Sequence, residues 1–271
     1  MEPNLRLVSL SDIQLQEEAD QKRLKRLIAG MRTSKVVRDP PIVATGIHDD
    51  LIQLDGTTRL SALRRMNCSH AVVQYVDYND SSQVTIKSWV HVSKVNRDTF
   101  LQRIRAIGGI KTEPFQLGLG LTLTGHPLAA VTIIFRDGKG LSVINNTGLV
   151  EKVLLMKRVV KLYEELIERN REVSIEGMTQ LREFFRKHSD KNVALFFPTF
   201  AAHEVYALMQ RSVTLPQGIT RHVVNGRVLG INYPVTMLEK GTPLKEKEAY
   251  FAHFLKTTHL RFYEESTFMV E

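Results

Sequence analysis

Cysteine is almost absent from this chain, which has only Cys68 in 271 residues. A single thiol cannot close an internal disulfide, and no Cys/His cluster has the spacing of metal ligands. We therefore do not expect a disulfide framework or a structural zinc site. The sequence also has no internal repeat and no low-complexity tract.

Long apolar runs are missing as well. No stretch approaches the roughly 20 apolar residues that a helix needs to cross a bilayer. Residues 1–4 lack the basic and apolar regions of a signal peptide, so we expect a cytoplasmic protein without a membrane partner. A hydrophobic share of 43% and a charged share of 24% predict a folded chain with two modest domains.

The net charge of +8 and the pI near 9.6 suit either nucleic acid or anionic small molecules as partners. Basic residues cluster in two helical segments, where they alternate with Leu, Ile and Val. This pattern is typical of solvated amphipathic faces and does not favour a DNA-binding stripe. The residues are Lys22, Arg23, Lys25, Arg26 and Arg32 in one segment, and Lys152, Lys157, Arg158 and Lys161 in the other.

The most informative segment is a short apolar strand, 51–54, that runs through Asp55 and Gly56 into an amphipathic helix. Gly56 permits a tight turn, and Thr57 or Thr58 is able to cap the helix. The N–H groups of the first helical turn and the guanidinium of Arg59 suit an anion. An ordinary strand-to-helix turn with a capping threonine has the same local sequence.

The pattern of elements predicts an α/β (α+β) fold with three parts: residues 1–100, residues 101–240, and a C-terminal helix and strand at 241–271. The first part alternates strands and helices. The second has coarser signals, of which the helix at 149–170 is the clearest. The predicted strands are 5–10, 41–45, 51–54, 71–76, 129–135 and 193–197, and the other predicted helices are 19–31, 99–107, 175–188 and 201–209.

The segment 54–59, preceded by the strand at 40–43, resembles the phosphate-binding motif of the ParB/sulfiredoxin superfamily. Residues 215–223 resemble the Thr-Arg-His segment of free L-serine kinases, which are built on the same N-terminal domain. Lys87-Ser88-Trp89 stands where those kinases carry a substrate-contacting Trp, and 261–270 is similar to the tail of their siderophore-linked bacterial members. The resemblance implies a ParB/sulfiredoxin-like nucleotide-binding domain packed with a second α/β domain that completes the amino-acid site.

The resemblance also implies a reaction: transfer of a phosphoryl group from ATP or ADP, with ATP favoured, to the hydroxyl of free L-serine. Glu17 matches the family's catalytic carboxylate, although the adjacent Glu18 is an alternative for the base. Asp55 is a natural Mg²⁺ ligand or hydroxyl-orienting group, because a carboxylate beside phosphate needs a cation between them. Its alternative is an Asp that caps the turn through its own backbone.

The remaining implied site residues form two sets. The nucleotide set comprises Gly56, Thr57, Thr58 and Arg59, with Ser34 and Arg38 from the preceding loop. In the serine set, Arg221 binds the carboxylate, Thr220 and His222 add directional hydrogen bonds, and Trp89 forms a wall. The family commonly has His at the position of Thr58, and this departure leaves the donor nucleotide and the acceptor amino acid open.

Two other functions share the N-terminal motif. A ParB-type DNA-binding regulator would need a helix-turn-helix within 149–188, where the sequence shows no clear base-reading face. Sulfiredoxin chemistry requires a reactive thiol in the phosphate turn, whereas Cys68 lies after the helix. The sequence does not indicate the oligomeric state.

Overall fold

The computed structural model describes residues 3–46, 50–117, 128–144, 147–163, 167–171, 175, 177–259 and 261. The chain divides into two compact units, and both are discontinuous in sequence. The first unit comprises residues 1–15, 19–84 and 224–271, and the second comprises 16–18 and 85–223. The sequence predicts contiguous domains instead, with boundaries near residues 100 and 240.

The first unit is a five-stranded mixed sheet in the order β1-β6-β4-β5-β2, accompanied by a two-stranded pair, β3 with β14. The pairs β2–β5 and β4–β6 are parallel, while β1–β6 and β4–β5 are antiparallel. Its strands are β1 (Asn4–Ser9), β2 (Ile13–Gln14), β3 (Val36–Val37), β4 (Ile42–Thr45), β5 (Leu51–Asp55), β6 (His70–Tyr75) and β14 (Tyr233–Pro234).

Among the described residues, this unit has three α-helices: α1 (Gln21–Ser34), α2 (Thr57–Arg65) and α7 (Leu244–Thr257). The segment after residue 223 returns to this unit because its apolar side chains complete the core there. Tyr233 is fully buried, and its ring packs edge-on against Tyr250 and Phe254 of α7. The same core cluster also contains Val228, Ile231, Val235 and Leu238.

The second unit contains a larger sheet in the order β11-β7-β12-β9-β10-β8, with β13 also paired to β7. Strand β9 lies inside the sheet, between β12 and β10, and all seven of its residues are buried. The strands are β7 (Val84–Ser93), β8 (Lys111–Gln116), β9 (Ala129–Phe135), β10 (Lys139–Ile144), β11 (Glu168–Arg171), β12 (Val193–Phe196) and β13 (Thr220–Val224). The helices are α3 (Arg97–Arg105), α4 (Leu149–Lys161), α5 (Met178–Lys187) and α6 (Ala202–Gln210).

The predicted helix over 149–170 is wrong in its second part. Helix α4 ends at Lys161, and Glu168–Arg171 forms β11, which pairs antiparallel with Trp89–Val92 of β7. Pairing to the open edge of β7 outweighs the local helical pattern, as tertiary context often does. The predicted strand near the C-terminus lies outside the described residues. No helix in the described part of the chain is long and apolar enough to cross a bilayer.

A fully buried histidine, His91 on β7, fixes the turn that leads into β13. Its Nε2 lies 2.7 Å from the carbonyl oxygen of Gly218, and its Nδ1 lies 3.0 Å from the hydroxyl of Tyr163. A carbonyl only accepts, so Nε2 donates to Gly218, and Nδ1 accepts from Tyr163. Burial lowers the pKa of His91 to about 4, so the ring is neutral at pH 7. Gly218 has φ +72°, and a Cβ there would collide with the side chain of Arg169.

We expect His91→Phe to lower the free energy of unfolding of the protein by about 1–3 kcal/mol, since it leaves the buried Gly218 carbonyl and Tyr163 hydroxyl without their partner. Between pH 6.5 and about pH 4 the unfolded chain takes up a proton that the folded His91 does not. Wild-type stability should therefore fall as the pH falls through this window, and His91→Phe should lack that part of the decrease.

Urea unfolding curves recorded from pH 7.5 to pH 4 would measure both effects. The exposed His203 on α6 provides the matched control, and His203→Gln should retain the wild-type pH dependence. An unchanged pH dependence in His91→Phe would contradict this account of the histidine.

Candidate active site

The turn between β5 and α2 has the geometry of an anion site on the first unit. Gly56 is the N-cap, with φ +94°, and a Cβ at this position would lie 3.0 Å from Pro41. The prediction that Thr57 or Thr58 caps the helix is wrong, because the cap residue is a glycine and no side chain caps α2. The first N–H groups of α2 therefore remain available to a ligand.

Most donors of the Arg59 side chain are used in hydrogen bonds within the protein. Its side chain is 17% exposed, and Nη1 donates to the carbonyl oxygens of Asp39 and Pro40, both at 2.9 Å. Nη2 donates to Oδ2 of Asp55 at 2.6 Å. The guanidinium thus ties the preceding loop to the turn, and only part of its fork of five N–H donors is left for a ligand.

Asp55 is paired with two arginines, Arg59 and Arg227, and both donate to the same oxygen, Oδ2. Burial acts to raise the pKa of Asp55, but the charges of the two guanidinium groups outweigh it, and the pKa lies below its ordinary value. The second oxygen, Oδ1, accepts no hydrogen bond from the described residues, which leaves one carboxylate oxygen for a cation.

The loop before β4 provides the other two predicted nucleotide residues. Ser34 is exposed at the end of α1, and its hydroxyl lies 3.5 Å from the carbonyl oxygen of Val36. Arg38 is exposed as well, and its carbonyl accepts from the backbone N–H of Asn232 at 3.2 Å. Within the described part of the chain, no hydrogen bond involves the side chain of Arg38.

In the second unit, the predicted base meets the Thr-Arg-His segment. The hydroxyl of Thr220 donates to Oε1 of Glu17 at 2.7 Å, although 203 positions separate the two residues. Glu17 forms an isolated parallel bridge with Leu215, and Leu215 N–H donates to the carbonyl of Gln16 at 2.7 Å. These backbone contacts hold the half-buried Glu17 carboxylate beside β13.

The neighbouring Glu18 has a different environment. Its Oε1 accepts from Nζ of Lys157 at 2.8 Å and from the hydroxyl of Thr214 at 3.1 Å, with 68% of the side chain exposed. The hydrogen bond from Lys157 is the largest cause that lowers the pKa of Glu18. Of the two carboxylates considered for the base, only Glu17 contacts the Thr-Arg-His segment within the described residues.

Strand β13 divides the predicted serine-binding residues between two faces. Because side chains alternate along a strand, Thr220 and His222 share one face and Arg221 lies on the other. Thr220 and His222 are buried, and Gln16 Nε2 lies 3.5 Å from Nδ1 of His222. The guanidinium carbon of Arg221 lies 5.0 Å from the centre of the Trp89 ring, in a cation–π contact.

The structure brings together most of the predicted residues within each unit, and it adds two that the sequence reasoning missed. Gln16 contacts the face of β13 that carries His222, and Arg227 contacts Asp55. Arg227 lies in a Gly- and Asn-containing loop, 225–230, that has no recognisable motif. Only the three-dimensional contact identifies it.

Features needed for the other functions are absent from the described residues. Cys68 is buried after α2, and burial raises the pKa of its thiol to about 11, so it is not the reactive thiolate that sulfiredoxin chemistry requires. Helices α4 and α5 are separated by β11, which does not fit a helix-turn-helix.

No group of three or more His, Cys, Asp or Glu side chains in the described part of the chain could hold a metal ion.

Comparison with known proteins finds no matching family model. The chain is 22% identical to the ATP-dependent L-serine kinase SbnI of Staphylococcus aureus, over 99% of this chain and 97% of that protein. It superimposes on the solved structure of C-terminally truncated SbnI with a TM-score of 0.70 and 19% identity, covering 93% of this chain and 95% of that one.

A second solved structure, a free serine kinase with a glutamate-to-alanine substitution in complex with AMP, matches with a TM-score of 0.69 and 18% identity. That match covers 88% of this chain and 95% of the other. The chain therefore has the fold of the free serine kinases, and the resemblance indicated by its sequence motifs is confirmed.

Proposed function

We propose that this chain is a kinase that transfers a phosphoryl group from a nucleotide to the hydroxyl of free L-serine and releases O-phospho-L-serine. The observation that carries the proposal is the hydrogen bond between Glu17 and Thr220. Their pairing joins the implied catalytic carboxylate to the implied serine-binding segment. Similarity to the S. aureus kinase over 99% of the chain supports the same reaction.

Glu17 is proposed as the group that orients and deprotonates the serine hydroxyl. In phosphoryl transfer the protein has little covalent chemistry to perform, so positioning the hydroxyl and stabilising charge provide most of the catalysis. The hydroxyl of Thr220 donates to one oxygen of Glu17, which fixes the orientation of the carboxylate. A general base must lie within hydrogen-bond reach of the proton that it accepts.

The turn at Gly56 is proposed as the binding site for the nucleotide phosphates. Uncapped N–H groups of Thr57, Thr58 and Arg59 suit phosphate oxygens, and the positive end of the α2 dipole adds to their attraction. Asp55 Oδ1 would hold Mg²⁺, since magnesium commonly binds proteins through one or two carboxylates together with substrate phosphates. When bound, the metal would neutralise part of the phosphate charge.

The face of β13 near Trp89 is proposed to bind the amino-acid end of serine. The planar guanidinium of Arg221 matches a carboxylate in a two-point contact, and the Trp89 ring supports it from one side. Thr220 and His222 lie on the other face with Glu17 and Gln16, and they are proposed to position the Glu17 carboxylate. ATP is the favoured donor, because the S. aureus relative is named an ATP-dependent kinase.

We expect phosphorus NMR of the protein with Mg²⁺, L-serine and ATP to show a new phosphomonoester signal. Glu17→Gln should lose this signal while it retains nucleotide binding, because the amide cannot accept the hydroxyl proton. A decrease in rate of about 100-fold or more is expected for loss of a general base.

Glu18→Gln is the matched control, since it makes the same change on the adjacent residue, and it should retain activity. Parallel samples with ADP and with L-threonine would identify the donor and the acceptor. Full activity in Glu17→Gln would refute the assignment of the base, and no signal in any wild-type sample would refute the kinase.

Arg221→Ala should raise the KM for serine by about 10- to 100-fold, the cost of losing a charge-assisted hydrogen bond to the carboxylate. The KM for the nucleotide should stay unchanged. Arg221→Lys keeps the charge but not the planar fork, so we expect an intermediate KM. Steady-state kinetics would decide, and an unchanged KM for serine in Arg221→Ala would mean that Arg221 supports only Trp89.

A further inference from the structure

A loop of the first unit, residues 225–230, places a second arginine at the turn around Gly56, where the nucleotide phosphates are proposed to bind. Nη2 of Arg227 donates to Oδ2 of Asp55, the oxygen that Arg59 also contacts. The side chain of Arg227 is 38% exposed, compared with 17% for Arg59. Arg227 is therefore the more accessible of the two arginines at this turn.

The two arginines also differ in the donors that they have left. Arg59 gives Nη1 to two backbone carbonyls and Nη2 to Asp55. Arg227 donates only to Asp55 among the described residues, so most of its five N–H groups are available to a ligand. A guanidinium with free donors beside uncapped helix N–H groups is suited to a two-point contact with phosphate.

A buried glutamine holds the backbone on both sides of Arg227. Gln74 on β6 is 3% exposed; its Nε2 donates to the carbonyl of Gly226 at 3.0 Å, and its Oε1 accepts from the N–H of Val228 at 2.9 Å. Both polar atoms of one side chain are thus used to fix the residues that flank the arginine. This arrangement lowers the conformational entropy that a binding loop loses when its ligand arrives.

Two further contacts fix the ends of the loop. The N–H of Asn225 donates to the carbonyl of Gln83 at 2.9 Å, and the N–H of Gly230 donates to Oδ1 of Asp39 at 2.7 Å. The loop is therefore attached along its length, and its one long cationic side chain extends to the turn.

Arg227 also changes the balance of charge near the turn. Two carboxylates, Asp39 and Asp55, act on Arg59, and Arg227 is the second cation of the group. With Arg227 the four charges balance, but without it the group would be net negative, which would weaken the attraction of the turn for phosphate.

We propose that Arg227 binds the phosphate groups of the nucleotide, with Gln74 as the residue that positions it. The proposal rests on the proposed function, since it adds a residue to the same nucleotide site. In this arrangement the guanidinium pairs with Asp55 when no nucleotide is present and turns part of its donor fork to the phosphates when one binds.

Isothermal titration calorimetry would test the proposal with three probes: ADP, adenosine and inorganic pyrophosphate. Arg227→Gln should weaken binding of ADP and pyrophosphate by about tenfold or more, and leave adenosine unchanged, because only the first two carry phosphate. Arg65→Gln is the matched control: it removes the same charge from the far end of α2, where Arg65 donates to Gln21 at 2.8 Å. It should bind all three probes as the wild type does.

Gln74→Leu provides a second variant, which keeps Arg227 but removes the two hydrogen bonds that hold the backbone on either side of it. It should weaken binding of ADP and pyrophosphate without affecting adenosine. Thermal melting monitored by circular dichroism would verify that each variant is folded. Wild-type affinity for phosphate ligands in Arg227→Gln would overturn the proposal, as would an equal loss in Arg65→Gln or a loss that extends to adenosine.

Together with the phosphorus NMR assay for phosphoserine, the calorimetry separates this proposal from the kinase itself. If binding of pyrophosphate depends on Arg227 but no phosphoserine forms, the kinase proposal fails and the role of Arg227 stands. If phosphoserine forms equally well with Arg227→Gln and the ADP affinity is unchanged, the kinase stands and the role of Arg227 fails. A wild-type protein that binds neither ADP nor pyrophosphate overturns the proposal for Arg227.

Discussion

The ten-residue strand β7 has backbone donors and acceptors on both edges, and a buried strand must pair them. Strands β11, β12 and β13 meet this requirement, and they come from three separate parts of the second unit. The pairing sets the positions of the site residues: Trp89 N–H donates to the carbonyl of Ile219 at 2.8 Å, directly before Thr220. Two residues further along β7, His91 holds the turn at Gly218. The serine-binding part of the proposed site thus depends on the backbone pairing of one strand.

At the turn around Gly56, which is proposed to bind phosphate, the arrangement of charged side chains matters more for the site than backbone pairing does. A carboxylate that is suited to a metal stands where phosphate is proposed to bind, and the protein compensates with two guanidinium groups of unlike accessibility. The half-buried Arg59 connects the turn to the loop at Asp39 and Pro40, and the more exposed Arg227 belongs to the C-terminal segment. One arginine therefore has a mainly structural environment, while the other retains donors for a ligand.

Two parts of the site were predictable: the residues that are contiguous in the sequence, and the residues that the family resemblance identifies. The turn from Asp55 to Arg59 is contiguous, so its glycine, its helix start and its charge can be read directly. Glu17 and Thr220 were each assigned to the site through the resemblance, since no local pattern links residues so far apart. Gln74 and Arg227 were missed because a buried glutamine and a loop arginine have no periodicity to reveal them. The strand β7 was missed although Val84, Ile86, Val90 and Val92 stand at alternate positions along it, as in a strand. The helix from Leu149 was extended too far because an edge pairing cannot be seen in one segment.

The return of residues 224–271 to the first unit has a consequence for how the chain folds. During synthesis, the sheet around β5 and β6 leaves the ribosome long before Tyr233 and the α7 side chains that complete its core. Contacts of such large sequence separation form slowly, because closing a long loop costs conformational entropy before the contact stabilises the fold. The first unit is then expected to remain incompletely folded, with part of its apolar surface exposed to solvent, until the second unit has been synthesised. Competence to bind the nucleotide would be acquired at the end of synthesis, when the last segment docks.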